Sequence, residues 1–157
     1  SSRGSVIPLF IEYNKRGKTL PVTDLNMTRF SITMNEAINL VYNAMKESFG
    51  GEVFIPKIPS YKLSDLIKAI APKKGYKIVG VRYGEKMHEE LINFDESEHI
   101  YDFGKYYIHL TDNLISGTIQ KAIKNIQKKK IKKRFSYNSK DNSYLTIKDL
   151  KKLIIEK

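Results

Sequence analysis

Apolar positions recur at helical spacing along much of this chain, between residues that typically begin and end helices. The clearest start is a capping box, in which Thr33 caps amide donors and Glu36 reaches back to the cap. Ser64 is predicted to cap a later helix, which ends before Pro72 because a residue preceding proline disfavours helical backbone. Helices are predicted from Val6 to near Gly17, between Thr33 and Gly50, over 65–71, around 87–92, over 113–133, and from Thr146 through Ile154.

Shorter apolar or alternating runs between these segments predict strands. They lie at Leu20–Val22, Thr28–Ile32, Glu52–Ile55 and Lys77–Val81, followed by a hairpin of 100–103 and 106–110 around Gly104. Because helix and strand alternate through the middle of the chain, the sequence predicts an α/β fold. We expect residues 1–112 to form one part, and 113–157 to form a basic helical segment with a terminal helix.

The segment Arg82-Tyr83-Gly84-Glu85-Lys86 follows the apolar run Ile78–Val81, which is predicted to be a buried strand. Ligands of open α/β proteins bind where strands end. A guanidinium can grip a phosphate with two hydrogen bonds, and a carboxylate can accept two from a ribose diol. The segment therefore suits a nucleoside diphosphate, although Arg82 and Glu85 at this spacing could equally form an ordinary surface ion pair.

Composition narrows the class of protein. The chain has 157 residues, 41% of them hydrophobic, which is enough for one domain, or one domain with a tail, around a real core. It has no cysteine, so disulfides, cysteine-ligated zinc and a thiol nucleophile are excluded. No apolar run has the length of a membrane span, and no export leader is visible, so the expected location is the cytoplasm.

The formal charge of +11 favours an anionic partner, and the run from Lys128 to Arg134 alone carries six positive charges. A basic nucleic-acid-binding module that uses Lys121–Arg134 is therefore an alternative function. No aromatic stacking motif or recognisable reader fold accompanies these lysines. The run could also be a solvated face with no specific partner.

Several kinds of catalytic site find no support in the pattern. His88-Glu89 lacks the second histidine of a zinc protease motif, so structural or exposed roles are expected for His88, His99 and His109. No strand is followed by a Gly-x-Gly-x-x-Gly turn, so a complete dinucleotide-binding domain is not predicted. We expect no catalytic residue and no metal ligand in this chain.

Two further arginines are candidate ligands. Arg29 lies between an extended piece and a capped helix, where it could pair with Glu36 or Asp24 or could bind phosphate. Arg3 lies among serines and a glycine just before the first helix, and a helix start favours phosphate.

The order of these motifs resembles inverting UDP-N-acetylglucosamine 4,6-dehydratases, which are extended short-chain dehydrogenase/reductases of polysaccharide and flagellin-sugar biosynthesis. The block Gly50–Ser60 is the most specific part of the match, which runs nearly end to end. The matching segments are Ser2–Val6, Leu20–Asp24, Met27–Phe30, Ile32–Thr33, Gly50–Ser60, Asp65–Leu66, Ala71–Pro72, Gly84–Glu89, Asp95–Ser97, Tyr144–Thr146 and Asp149–Leu150.

The resemblance implies a carboxy-terminal, substrate-binding half of such an enzyme. The amino-terminal Rossmann half of the family binds NADP and carries the Tyr-x-x-x-Lys pair and the dehydration residues, and these are missing here. By similarity, Arg29 and Arg82 hold the diphosphate, Glu85 holds the ribose hydroxyls and Thr19 approaches the uracil or ribose. The loop with Ser2, Arg3, Ser5 and Val6 would line the same cleft.

The implied partners are a UDP-sugar, the missing half and a possible homo-oligomer, with no membrane. A related UDP-sugar epimerase is a further alternative within the family. Two departures from the family's sequence pattern bear on the affinity for the ligand. Tyr83 stands where the family usually has proline, and Ser31 stands where tryptophan is common.

Overall fold

The computed structural model of this protein describes residues 6–48, 50–73, 75–110 and 129–155. The α-helices of these residues are α1 Val6–Lys15, α2 Met34–Glu47, α3 Leu63–Ile70 and α4 Ile147–Ile155. The strands are β1 Leu20–Val22, β2 Thr28–Phe30, β3 Val53–Pro56, β4 Ser60–Lys62, β5 Tyr76–Ile78, β6 Glu90–Ile92, β7 Ile100–Asp102, β8 Tyr106–His109 and β9 Tyr137–Asn138. The chain divides into two compact units that interleave along the sequence.

The first unit comprises Ser1–Ser31, Pro59–Glu89 and Ser139–Lys157. In it β1 pairs with β5 in parallel, and β2 pairs with β4 in antiparallel register. Helices α1, α3 and α4 bury their apolar faces together with β1, and the most deeply buried apolar side chains are those of Phe10, Leu20, Val22, Met27, Leu66 and Leu150. The segment from Ser139 joins this unit through two backbone hydrogen bonds with Ser60. The Ser60 N–H donates to the Ser143 carbonyl, and the Ser60 carbonyl accepts the N–H of Leu145.

The second unit comprises Ile32–Ile58 and Glu90–Asn138. Its three-stranded antiparallel sheet has the order β3-β8-β7, and β6 pairs separately with β9. Tyr101, Tyr106 and Ile108 form the core of this sheet, and Leu40 of α2 packs against them. Burial, followed by a hydrogen bond to the Glu47 carboxylate, raises the pKa of Tyr106 to about 12.

Local signals in the sequence predicted several of these elements correctly. The capping box of Thr33 and Glu36 is formed at the start of α2, and Thr146 with Asp149 forms the same arrangement at α4. The hairpin of β7 and β8 turns at Gly104, whose φ of 83° is readily adopted by glycine. The α/β class is confirmed.

Other predictions were wrong. Helix α3 begins at Leu63, directly after β4, with Lys62 at the cap, so Ser64 lies inside the helix. No helix forms at 87–92, and residues 90–92 form β6, in which Glu90 and Ile92 pair with Asn138 and Tyr137 of β9. The run 78–81 is not buried, because β5 has only β1 beside it within the described residues, and Ile78, Val79 and Val81 are about half exposed.

The helix predicted over 113–133 falls largely outside the described residues. In its described end, Lys130 instead forms a β-bridge with Tyr101. The expected boundary between 112 and 113 also lies outside the described residues and stays a prediction. Within the described ranges, no helix has both the length and the apolarity needed to cross a bilayer.

Candidate functional site

A cavity of about 620 Å³ opens in the first unit, between α1 and the chain that follows β5. Val6, Leu9 and Phe10 of α1 form its apolar wall. The lining also carries the polar groups of Arg29, Tyr61, Glu89 and residues 82–85. The cavity therefore combines an apolar surface with a few convergent charged groups, as binding sites for small molecules commonly do.

Several contacts with the protein hold the Arg29 side chain in place. Its Nη1 donates to the backbone oxygens of Thr28 and Met87, at 2.8 and 3.2 Å. Its Nη2 donates to Glu85 Oε1 at 3.1 Å and approaches the Met27 sulfur at 3.4 Å, while Nε lies 3.6 Å from Glu89 Oε1. The side chain of Arg29 is only 17% exposed. Each nitrogen of the guanidinium thus faces an acceptor, so Arg29 joins β2 to the segment 85–89.

Glu89 and Tyr61 complete the surroundings of Arg29. Glu89 Oε2 accepts the backbone N–H of Phe30 at 3.0 Å, which fixes the carboxylate beside β2. Tyr61 lies opposite Arg29 in the register of β2 with β4. Burial raises the pKa of Tyr61 well above its usual range, and the Glu89 charge adds to this shift while Arg29 opposes it. The Tyr61 hydroxyl therefore stays protonated at neutral pH and can donate a hydrogen bond.

A buried group of hydroxyls supports this arrangement from behind. Thr28 Oγ1 lies 2.8 Å from His88 Nδ1 and 2.7 Å from Ser139 Oγ. Ser139 Oγ also accepts the N–H of Glu89 at 2.8 Å, and the N–H of Ser139 donates to the Glu89 carbonyl at 2.7 Å. Ser139 is fully buried. The chain near its end thus anchors the segment that carries both carboxylates.

Residues 82–85 form a tight turn at the mouth of the cavity. The N–H of Glu85 donates to the Arg82 carbonyl at 3.0 Å, and Gly84 at the third position has φ of 79°, as a type II turn requires. The alternative considered for Arg82 and Glu85, an ion pair with each other, is not formed. Glu85 pairs with Arg29 instead, and its Oε2 lies 3.4 Å from the Arg82 backbone nitrogen.

The side chains of Arg82 and Tyr83 project from this turn. Tyr83 is fully exposed, and Arg82 is exposed and has no ion pair among the described residues. A guanidinium without a carboxylate partner, next to a cavity, is available to an anion. The charges of Arg29, Arg82, Glu85 and Glu89 cancel, so the anion would be bound by directed hydrogen bonds more than by net charge.

The structure brings together only part of the predicted site. Arg29, Arg82, Glu85 and Val6 all line the cavity. Thr19 is exposed just before β1 and is not among the lining residues. Ser2, Arg3 and Ser5 lie outside the described residues. The partners suggested for Arg29 were wrong, because Glu36 caps α2 and Asp24 accepts the N–H of Asn26.

Sequence reasoning missed several residues of the cavity. Tyr61, Glu89 and Thr23 line it, yet none stands in a recognisable ligand motif. The pairing of β2 with β4 places Tyr61 beside Arg29, so a correct prediction of this pairing would have identified Tyr61. Within the described residues no cluster of three histidine, aspartate or glutamate side chains could hold a metal ion.

Comparison with known proteins identifies the family of this chain. Residues 1–111 match the family described as polysaccharide biosynthesis protein. The chain belongs to this family. It is 42% identical, over 145 residues, to the inverting UDP-N-acetylglucosamine 4,6-dehydratase of Campylobacter jejuni, and the match covers 90% of this chain and 43% of that protein.

Two further relatives match nearly the whole chain. The UDP-glucose 4-epimerase of Rickettsia canadensis is 31% identical over 159 residues, covering 99% of this chain and 46% of the epimerase. The X-ray structure of Pen from Bacillus thuringiensis superposes with a TM-score of 0.82 at 32% identity, covering 99% of this chain and 46% of Pen. The chain therefore spans less than half the length of the relatives it matches.

Proposed function

We propose that this chain is the nucleotide-sugar-binding part of a UDP-N-acetylglucosamine 4,6-dehydratase in surface polysaccharide or flagellin-sugar biosynthesis, acting in the cytoplasm. The enzyme would convert UDP-GlcNAc to a UDP-linked 4-keto-6-deoxy-HexNAc. The observation that carries the proposal is the turn 82–85, which presents Arg82, without an ion pair to any residue that the structure describes, and the carboxylate of Glu85 at one cavity. The similarity to the Campylobacter jejuni dehydratase supports the choice of substrate.

In this proposal Arg82 binds the diphosphate first, because no ion pair with a described residue has to be broken. Glu85 then exchanges Arg29 for the ribose hydroxyls, and Arg29 turns a freed nitrogen towards the diphosphate. Val6 contributes apolar wall. Ser2, Arg3 and Ser5 are assigned to the UDP-sugar by similarity alone, and so is Thr19, which does not line the cavity. The chain binds and orients the substrate, which sets the geometry of the reaction, and contributes no bond-making residue.

The cofactor of the proposed reaction is NADP, which removes and returns a hydride. A dinucleotide needs a glycine-rich turn between a strand and a helix for its pyrophosphate. In the described residues α3 follows β4 without any loop, and α2 begins at the Thr33 cap with no glycine before it. These residues do not fit the cofactor. We assign it mainly to a complementary part, which is the part of the relatives that this chain does not match.

UDP-sugar epimerisation is a second candidate, because the Rickettsia canadensis epimerase also matches 99% of the chain. Both reactions would use the same nucleotide site. A reconstituted enzyme supplied with UDP-GlcNAc would separate them, since dehydration gives a 4-keto-6-deoxy product and epimerisation gives a 4-epimer that keeps its 6-hydroxyl group.

The test is calorimetric titration of the full chain with UDP and, separately, with uridine. We expect Arg82→Ala to weaken UDP binding about tenfold or more, since a charge-assisted hydrogen bond contributes about 1.5–3 kcal/mol. The melting temperature should stay unchanged, because Arg82 has no ion pair in the described fold. Arg16→Ala is the matched control, since Arg16 forms only an exposed ion pair with Glu12 on α1.

Uridine distinguishes the two halves of the ligand. It should bind Arg82→Ala and the unchanged chain equally, because it has no phosphate. A chain that binds no UDP at millimolar concentration, or an Arg82→Ala variant with unchanged UDP affinity, would refute the assignment of this site.

A further inference from the structure

A second cavity, also of about 620 Å³, opens in the second unit beside the described end of the basic run. It is lined by residues 97–99 of the 3-10 helix Glu96–His99, by residues 130–132 and by Arg134. Clefts of about 300–1,000 Å³ with a few converging polar groups are typical binding sites for small molecules. The described part of the basic run is therefore not an evenly solvated face, because three of its cations converge on one cavity.

The backbone that carries these cations is anchored at both ends. The Ile131 N–H donates to the Ile100 carbonyl at 3.2 Å, and Lys130 forms a β-bridge with β7. The Phe135 N–H donates to Ser97 Oγ at 3.2 Å, and Ser97 is only 1% exposed. The stretch is thus tied both to β7 and to the 3-10 helix, so the cavity is a fixed feature of the unit.

Arg134 and Glu98 compensate each other at this cavity. Arg134 Nε donates to Glu98 Oε1 at 2.8 Å, and Nη2 contacts the same oxygen. The hydrogen bond from Arg134 is the main cause that lowers the pKa of Glu98, so this carboxylate is charged at neutral pH. Asp95 lies 3.7 Å from Arg134 Nη1 but is 93% exposed, so its contribution is small. The pair of Arg134 and Glu98 therefore adds no net charge to the lining.

Lys130 and Lys132 differ from Arg134, because neither forms an ion pair with a residue that the structure describes. With His99 neutral, three cations and the Glu98 carboxylate give the lining a net charge of +2. In the cavity with Arg82, by contrast, two arginines and two glutamates cancel. A concave surface with one sign of charge concentrates ions of the other sign, and lysine is a common phosphate ligand.

We propose that this second cavity is a further ligand site, which binds a small molecule carrying a phosphate monoester. Such a group carries about −1.5 to −2 charge at neutral pH, which matches the net charge of the lining. Lys130 and Lys132 hold the phosphate oxygens, and the Arg134 guanidinium lies beside them, held in place by Glu98. The proposal is independent of the UDP site, since no described residue lines both cavities.

Nucleic acid is the competing ligand, because its phosphates would also suit the two lysines. Asp95 and Glu96, however, are exposed carboxylates in the stretch that carries Glu98. These carboxylates interrupt the positive surface along which a polynucleotide would have to run. A small molecule with a single phosphate needs only the cavity itself. We therefore assign the cavity to a small molecule.

The experiment is an NMR titration of the isotope-labelled full chain with glucose 1-phosphate, and separately with glucose, which lacks the phosphate. We expect saturable shifts of the backbone amides at 97–99 and 130–135 with glucose 1-phosphate at millimolar concentration, and none with glucose. The double variant Lys130→Gln, Lys132→Gln should weaken this binding about tenfold or more, since two charge-assisted hydrogen bonds are lost. Its affinity for UDP should be unchanged, because neither lysine lines the cavity with Arg82.

Lys151→Gln, Lys152→Gln is the matched control. It removes the same charge from exposed positions of α4 in the first unit, where neither lysine forms an ion pair with a described residue. Glucose 1-phosphate should bind this variant as it binds the unchanged chain. Both double variants should melt at an unchanged temperature, because all four side chains are exposed.

Four outcomes would overturn the proposal. The first is the absence of saturable shifts at 97–99 and 130–135, including the case in which only the amides at 82–85 respond. The second is equal binding of glucose 1-phosphate by the two double variants, which would leave no specific function for Lys130 and Lys132.

The third outcome is a single-stranded oligothymidine that displaces glucose 1-phosphate and loses more affinity in the Lys130→Gln, Lys132→Gln variant than in the control, since the site would then serve nucleic acid. The fourth is loss of UDP affinity in that variant, which would make this cavity part of the UDP site. Failure of the unchanged chain to bind UDP would count against the proposed function only.

Discussion

Arg29 and Arg82 lie on the wall of one cavity but in opposite states. Arg29 is 17% exposed and donates hydrogen bonds to protein acceptors with both Nη atoms, whereas Arg82 is exposed on a turn and has no ion pair among the described residues. A guanidinium bonded within the protein stabilises the fold, and one without an ion pair is available to a ligand. Two arginines that line one cavity can thus have different main functions, and substitutions can separate these functions.

Substitution of Arg29 should have the largest effect on stability. Arg29→Ala leaves Glu85 without its ion-pair partner. The Thr28 and Met87 carbonyls lose one donor each but keep Ser139 Oγ and the Thr28 N–H, respectively. We expect a loss of about 2–3 kcal/mol in the free energy of unfolding, mainly from the charge-assisted bond to Glu85. The contact with Glu89 adds little, because that carboxylate is 46% exposed.

Thermal unfolding measures this prediction, with a fall in melting temperature of roughly 5–10 °C expected for a chain of this size. The Arg16→Ala variant controls for loss of an exposed arginine. If Arg29→Ala melts like the unchanged chain and only UDP binding falls, Arg29 is a ligand group first and the contrast with Arg82 fails.

Substitution of Ser139 tests the support of the segment that holds Arg29, and its expected effect on stability is intermediate. Ser139→Ala removes the acceptor of the Glu89 N–H and one partner of Thr28 Oγ1 in a fully buried position. An unsatisfied buried donor costs about 1–2 kcal/mol, so denaturant unfolding should show a loss of this size. Ser136→Ala is the control, since its hydroxyl bonds the Glu90 carboxylate at an exposed position.

The same variant separates support of the fold from direct contact with ligand. UDP affinity of the folded Ser139→Ala chain should change by less than about threefold, because the hydroxyl is buried behind Glu89 and does not line the cavity. A tenfold loss of affinity without a loss of stability would show that Ser139 acts on the ligand side instead.

Local and distant interactions explain which features the sequence could predict. The caps at Thr33 and Thr146 depend on residues three apart, so short-range rules were enough to predict them. The Arg29–Glu85 ion pair spans 56 residues and exists only because β2 pairs with β4 and the turn 82–85 folds back. No periodicity records such a contact, and a surface ion pair between Arg82 and Glu85 was equally compatible with the sequence.

Burial of the run 78–81 failed for a related reason. Four apolar residues in a row are typical of a buried strand, but the pattern does not say how many neighbours the strand has. Here β5 has β1 alone beside it within the described residues, and its apolar side chains stay half exposed. The same limitation applies to α2, whose apolar positions predict a helix without saying which of them the rest of the unit covers.

Substitution of Tyr83 should have the smallest effect on stability and affinity, and it tests the turn that carries Arg82. It occupies the second position of the turn closed by Arg82 and Glu85, where proline is favoured because its fixed φ fits. Tyr83→Pro should raise the free energy of unfolding by about 0.4–1 kcal/mol, by restricting the unfolded chain. A more ordered turn should also bind UDP up to a few-fold more tightly. Tyr83→Ala is the control, because it removes the ring without fixing the backbone, and it should show neither gain. If both variants instead bind UDP more weakly at unchanged stability, the exposed Tyr83 ring itself contacts the ligand, and the open side of the cavity includes more than Arg82.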